Sequence, residues 1–123
     1  MKQILIIEDN PDNMKLMTFI LEKNGFQTLK AFTGQDGIDM TREKTPDLVL
    51  LDIQLPDMDG IEVLKAIRSC GTDKALPVIA VTSYAMDGDR QRLMASGCTG
   101  YIEKPINPLT IIAEIQRYAG ELS

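Results

Sequence analysis

Histidine is absent from all 123 residues. Its absence removes Ser-His-Asp and Cys-His catalysis and every metal site that needs an imidazole. Cysteine is scarce. Cys70 and Cys98 stand far apart and outside any metal-like spacing, so they read as free, buried or partly buried thiols in a reducing compartment. No apolar run approaches the roughly 20 residues that span a bilayer. The N-terminus enters a strand at once, without the charged and apolar regions of a signal peptide, and a cytoplasmic location is the expectation. Basic clusters are missing too. The formal net charge is −5 with Lys and Arg dispersed, which argues against nucleic acid or a membrane as the main partner. With no linker, low-complexity run or second composition, residues 1–123 read as one domain.

What is present is an ordinary globular composition, 44% hydrophobic and 25% charged, long enough for a core without disulfides or a structural metal. The chain is organised around Leu48-Val49-Leu50-Leu51-Asp52. Four unbroken apolar residues suit a strand buried on both faces of a parallel sheet, and Asp52 then sits where that strand ends. Ile4-Leu5-Ile6-Ile7 stops in the same way at Glu8-Asp9, and Val78-Ile79-Ala80-Val81 at Thr82-Ser83. A shorter segment, Thr99-Gly100-Tyr101-Ile102, leads into Glu103-Lys104-Pro105.

Helices separate these strands. Asn10-Pro11 supplies an N-cap and a first-turn proline for a helix with Met14, Met17 and Leu21 facing the core and Asn24-Gly25 at its end. A short strand lies within residues 26–32. Thr33-Gly34 opens a second helix, with Asp36 in its first turn, Ile38 and Met40 as a short apolar face, and Thr45-Pro46 as its stop. The third strand is expected over 47–51. Asp59 with Glu62 reads as a capping box for a third helix with the stripe Ile61, Leu64 and Ile67, ending at Cys70-Gly71. The fourth helix, about 86–96, contains Gly88 and only Leu93, Met94 and Ala95 as apolar residues before the Gly97 cap, which predicts an exposed helix with little buried area. Asn107-Pro108 repeats the first cap and predicts a fifth helix burying Leu109, Ile112, Ile115 and Ala119. Five strand–helix units imply an α/β fold, a parallel sheet covered on both faces.

If the strands are parallel, Glu8, Asp9, Asp52, Thr82 and Lys104 converge at one edge, where open α/β sheets bind ligands. Three carboxylates that close repel one another unless a cation intervenes. With no imidazole or thiolate at hand, the natural cation is hard and oxygen-loving, and Mg2+ fits best. A carboxylate, a divalent cation, a lysine and a hydroxyl together suit phosphoryl transfer onto Asp52.

These motifs resemble the receiver domain of two-component response regulators, and the likeness runs from end to end of the chain. It rests on Ile6-Ile7-Glu8-Asp9-Asn10, Leu51-Asp52-Ile53-Gln54-Leu55-Pro56, Asp59-Gly60, Val81-Thr82-Ser83 and Lys104-Pro105, in that order and spacing. Asn10 to Leu16, Asp52 to Pro56 and Tyr84 to Asp89 look most like receivers that stand alone as single-domain regulators. The resemblance implies a (βα)5 doubly wound, flavodoxin-like fold with strand order 2-1-3-4-5. It implies Asp52 as phosphoacceptor, Mg2+ on Glu8, Asp9, Asp52 and the Gln54 backbone carbonyl, and Lys104 on the phosphoryl group. It further implies Thr82 and Tyr101 as switch residues, a cis peptide before Pro105, and a structural role for Gly60. The phosphodonor would be a histidine kinase or histidine phosphotransferase, since this chain has no histidine. Without an output domain, the signal would leave through a protein target on the fourth helix, fifth strand and fifth helix, from a monomer or a phosphorylation-dependent dimer. Such a protein is a signalling phosphoacceptor that promotes transfer to and from its own Asp52, not an enzyme with a separate substrate.

Three other readings fit less well. A phosphatase working through an aspartyl phosphate wants a second Asp two residues after the first, where this chain has Gln54. A flavin or nucleotide binder wants a hydroxyl- and Gly-rich loop after the first strand, where Glu8-Asp9 would repel phosphate. A receiver fold used only for binding would be expected to lack part of the pocket, and nothing is missing.

Overall fold

Strands that must be buried on both faces can carry no polar side chain along their length, and three stretches meet that condition. In the computed structural model they form the centre of a five-stranded sheet. The structure describes residues 2–69, 76–83 and 87–119, with the side chains of 87–90 and 119 left out. The order of elements is β1 (Gln3–Ile7), α1 (Pro11–Lys23), β2 (Gln27–Ala31), α2 (Gly34–Lys44), β3 (Leu48–Asp52), α3 (Gly60–Ser69), β4 (Val78–Thr82), α4 (Asp87–Ala95), β5 (Gly100–Glu103) and α5 (Ile111–Ala119). The sheet runs β2-β1-β3-β4-β5, and every pair is parallel. This is the expected order. Central β3 and β4 are buried at all five positions, whereas edge strand β2 is buried only at Ala31 and exposed at Gln27 and Lys30.

Alternation along the strands splits the core into two layers. Ile4 and Ile6 face α1 and α5, packing with Met14, Met17, Leu21, Ile111 and Ile115. Leu5 and Ile7 face the other way, with Ile38, Val63, Leu64 and Ile67 of α2 and α3 and Leu93 of α4. The first helix starts as expected: Asn10 Oδ1 accepts from the N–H groups of Asp12 and Asn13 at 2.9 and 3.1 Å, with Pro11 at the first helical position. Thr33 Oγ1 caps α2 by accepting the Asp36 N–H at 3.1 Å, and α2 ends at Thr45.

Several details differ from expectation. Strand β3 extends to Asp52 itself, one residue further than the apolar run. Asp59 Oδ1 accepts the Ile61 N–H at 2.9 Å, and among the described residues no bond joins Asp59 and Glu62, which is exposed, so Asp59 caps α3 without the capping box. Ile61 is half-buried, and Val63 takes its place in the buried stripe. The larger departure is at α5. Asn107 Oδ1 takes the Leu109 N–H, and the Asn107 carbonyl takes those of Thr110 and Ile111, so 108–110 form a tight turn and the helix begins at Ile111. Leu109 is left 93% exposed, and the buried positions are Ile111 and Ile115 with Ile112 and Tyr118 partly covered. Among the described side chains of α4, Leu93 is buried while Gln91, Arg92 and Met94 are exposed. Cys98 is a buried free thiol. Cys70, Gly71, Tyr84, Met86 and the Ala119 side chain fall outside the described residues.

Candidate functional site

Parallel register brings the strand ends level. Ile7 pairs with Leu51, Asp52 with Val81, and Thr82 with Glu103, so the residues that follow β1, β3, β4 and β5 share one edge. There the carboxylate oxygens of Glu8, Asp9 and Asp52 lie within 4.8 Å of one another. Glu8 is fully buried and Asp52 is 3% exposed, while Asp9 faces solvent. Lys104 Nζ sits between the two buried carboxylates, 3.2 Å from Glu8 Oε1 and 3.1 Å from Asp52 Oδ2. The other Asp52 oxygen accepts the Gln54 N–H at 3.0 Å. Thr82 is buried at the end of β4, and its carbonyl accepts the Lys104 N–H at 2.8 Å. Of the five residues that the sequence brings to this edge, Glu8, Asp9, Asp52 and Lys104 meet, and Thr82 stands at the end of the neighbouring strand. The Lys104-Pro105 peptide is cis.

The electrostatics follow from this crowding. Burial, then the hydrogen bond and negative charge of Asp52, push the Glu8 carboxyl from its ordinary 4.5 up to about 7, although Lys104 and the Asn10 N–H pull the other way. Glu8 Oε1 is buried without a hydrogen bond, its contact with Lys104 being the ion pair at 3.2 Å. Burial alone would lower the Lys104 ammonium; the charges of Asp52 and Glu8 outweigh it and hold Lys104 above its ordinary value.

The loop between β3 and α3 closes on itself. Gly60 N–H donates to the Ile53 carbonyl at 3.1 Å, and a Cβ at Gly60 would stand 2.5 Å from Ile53 Cα, so only glycine fits. Tyr101 is half-buried. It packs against the core layer that holds Leu93 and lines a polar hollow of about 370 Å3 with Glu103, Glu114 and Arg117. A second hollow, about 380 Å3, opens beside Lys104 between Asn13, Leu16, Ser83 and Ile106. Sequence reasoning missed Asp57, which reaches from this loop to the start of α2. Its only signal was an acidic residue in a loop, which by itself says nothing of a partner.

Five parallel strands in the order 2-1-3-4-5 between two layers of helices, with carboxylates and a lysine at their C-terminal edge, define a flavodoxin-like α/β fold with a charged site. The response regulator receiver domain family matches residues 4–116, and the chain belongs to that family. Over 120 residues it is 42% identical to the polar-differentiation response regulator DivK of Brucella anthropi, covering 98% of each chain. The DivK of Brucella abortus matches to the same extent. Among solved structures, the chemotaxis protein CheY4 of Vibrio cholerae superimposes with a TM-score of 0.92 at 26% identity, over 96% of this chain and 98% of that one. The receiver domain of sensor histidine kinase PA1611 from Pseudomonas aeruginosa gives a TM-score of 0.88 at 28% identity over 98% of both chains. That domain has a magnesium ion coordinated in its active site cleft. The protein is thus a response-regulator receiver in two-component signalling, a role that implies a kinase or phosphotransfer partner. Among the described residues no helix is long and apolar enough to cross a membrane.

Proposed function

We propose that residues 1–123 work as a single-domain, cytoplasmic response regulator that takes a phosphoryl group onto Asp52 from a phosphohistidine of a partner kinase or phosphotransferase. The observation that carries this reading is the setting of Asp52, a carboxylate 3% exposed with Lys104 Nζ at 3.1 Å and two further carboxylates within 4.8 Å. In the step, an Asp52 oxygen attacks phosphorus as the P–N bond to the donor imidazole breaks. The electron pair leaves with the imidazole, which takes up a proton. Lys104 draws toward the incoming phosphoryl oxygens and neutralises them as a point charge. The hollow beside Lys104 offers the donor side chain an approach. Return of the phosphoryl group to a partner histidine, or to water, reverses the arrangement at the same Asp52.

Glu8, Asp9, Asp52 and the Gln54 backbone carbonyl would hold Mg2+. The fit is supported by Glu8, whose buried Oε1 lacks a hydrogen bond and whose carboxyl is held near 7 by burial and by Asp52. An oxygen-only donor set suits a hard cation. Bound there, Mg2+ would neutralise the clustered carboxylates and the charge that gathers on the phosphoryl oxygens. After transfer, the Thr82 hydroxyl turns toward the phosphoryl group and Tyr101 moves inward, reshaping the surface of α4, β5 and α5. The slight burial of α4 and the half-buried setting of Tyr101 support that motion. The reshaped surface then takes a protein target, or a second copy in a phosphorylation-dependent dimer.

Intact mass after incubation with acetyl phosphate and Mg2+ tests the reading. One phosphoryl adduct is expected, lost in Asp52→Asn and in chelator. No adduct, together with no change at Thr82 and Tyr101 on adding beryllofluoride, would refute it.

A further inference from the structure

The first four N–H groups of a helix need partners from outside its own ladder. In α2 the N–H groups of Gly34, Gln35 and Asp36 find such partners, and they divide between two sources. Thr33 supplies its hydroxyl to the Asp36 N–H at 3.1 Å, while its carbonyl accepts the first bond of the helix ladder, from the Gly37 N–H at 3.1 Å. The other two N–H groups go to a residue 22 and 23 positions away. Asp57 Oδ1 accepts from Gly34 at 2.8 Å, and Asp57 Oδ2 accepts from Gln35 at 3.1 Å. Asp57 is exposed, yet these donors hold its carboxyl below the ordinary range. Asp57 lies in the loop that leaves β3, five residues after Asp52 and three after Gln54.

That loop is fastened at its base by the Gly60 N–H on the Ile53 carbonyl. At its far side two contacts tie it to α2. Asp57 is the polar one; the other is Met58, which packs so closely that a Cβ on Gly34 would come 3.3 Å from Met58 Sδ and 2.8 Å from Val63. Gln54 follows the base, where it bridges antiparallel to Asp59, and its N–H donates to Asp52 at 3.0 Å. The position of Gln54 is therefore set by the bridge at the base together with what holds the far side of the loop, where Asp57 reaches across to α2 through two hydrogen bonds.

We infer that Asp57 is a positioning residue for the Asp52 site: capping α2 from the β3–α3 loop, it fixes the segment that presents Gln54 to Asp52. The inference rests on the proposed reading of Asp52 and Gln54. It also makes α2 a structural support of the site, although no residue of α2 stands among the site's carboxylates, hydroxyl or lysine.

Three variants test it. Asp57→Ala removes the tie. Asp57→Asn keeps one acceptor oxygen. Thr33→Ala removes the cap that α2 draws from its own chain and leaves the loop untouched. Amide hydrogen exchange at Gln54, read by NMR in chelator, and the Mg2+ dissociation constant, read by calorimetry, are measured for each. In Asp57→Ala the Gln54 amide should exchange about tenfold faster, and Mg2+ should bind roughly three- to tenfold more weakly. Asp57→Asn should recover part of both, and Thr33→Ala should change neither by more than about twofold, even if it melts earlier. Gln54 exchange within twofold of wild type in Asp57→Ala would overturn the inference, as would an equal effect of Thr33→Ala. A wild type that binds no Mg2+ would refute the metal reading instead, and the Gln54 amide would still decide the role of Asp57.

Discussion

Glu8 makes the metal-free protein less stable as pH rises, and the size of the effect can be worked from its surroundings. The unfolded chain ionises this carboxyl near 4.5, whereas burial and the neighbouring Asp52 move it to about 7 in the fold. A carboxyl raised in this way favours the folded state fully below about 4.5 and loses that contribution as pH climbs through 7. At about 1.4 kcal/mol per pH unit, the interval from 4.5 to about 7 corresponds to roughly 3 kcal/mol. For a domain of this size that is about 10 °C in melting temperature. Circular dichroism melts in chelator between pH 5 and 8 should show the fall, and Mg2+ should flatten it. Glu8→Gln should abolish the slope and melt above the wild type at pH 8 in chelator. Were Glu8→Gln to keep the wild-type slope, or to melt lower at pH 8, the crowded-carboxylate account would be wrong.

Lys104→Ala leaves Glu8 and Asp52 buried without their cation; metal-free stability should drop by about 1–3 kcal/mol, and the melting gain on adding Mg2+ should exceed that of the wild type. Gly60→Ala forces a methyl to within 2.5 Å of Ile53 Cα, a backbone atom with nowhere to go, so urea unfolding should show a loss of about 1–3 kcal/mol. The revised start of α5 is checked by a pair: Leu109→Ala should stay within about 0.5 kcal/mol of wild type, whereas Ile115→Ala should cost about 2–5 kcal/mol. Equal losses in urea for the two would restore the helix start at Asn107.

The contrast between Asn10-Pro11 and Asn107-Pro108 shows where the sequence stops speaking. Both dipeptides put an Asn side chain on a nearby N–H, a local matter that residue type alone predicts. After Asn10 the chain goes straight into α1, with the Met14 N–H on the Asn10 carbonyl. After Asn107 the Thr110 and Ile111 N–H groups share one carbonyl, and the regular helix is delayed to Ile111. Leu109, Ile112 and Ile115 keep helical spacing in either case. Which of them meets Ile4 and Ile6 depends on the angle at which β5 delivers the chain, and no local signal carries that. Asp57 was hidden for the same reason, since its partners lie on the far side of β3 in sequence. The strands were legible because a sheet covered on both sides admits only apolar runs. The convergence of Glu8, Asp52, Thr82 and Lys104 was legible because parallel strands with short loops leave their C-terminal ends no other place to go.

Burial of Glu8 also explains why the site would respond to a cation at all. Three carboxylates spread over a wet surface would lose little on meeting Mg2+, because water already screens them. Here the sheet removes that water from two of the three, and the pull of Lys104 does not offset burial and the neighbouring Asp52, which hold Glu8 at about 7. On the proposed reading, Mg2+ must displace the Glu8 proton below about 7, so binding is coupled to proton release. Affinity should then weaken by up to about tenfold per pH unit below that point and level off above it. Calorimetry in buffers of different ionisation enthalpy reads the released proton directly. A dissociation constant that stays flat from pH 5.5 to 8, with no proton released, would place the cation away from Glu8. On the proposed reading, the same crowding that lowers metal-free stability would give the folded pocket its affinity for Mg2+, and a variant that relieves one should lose the other.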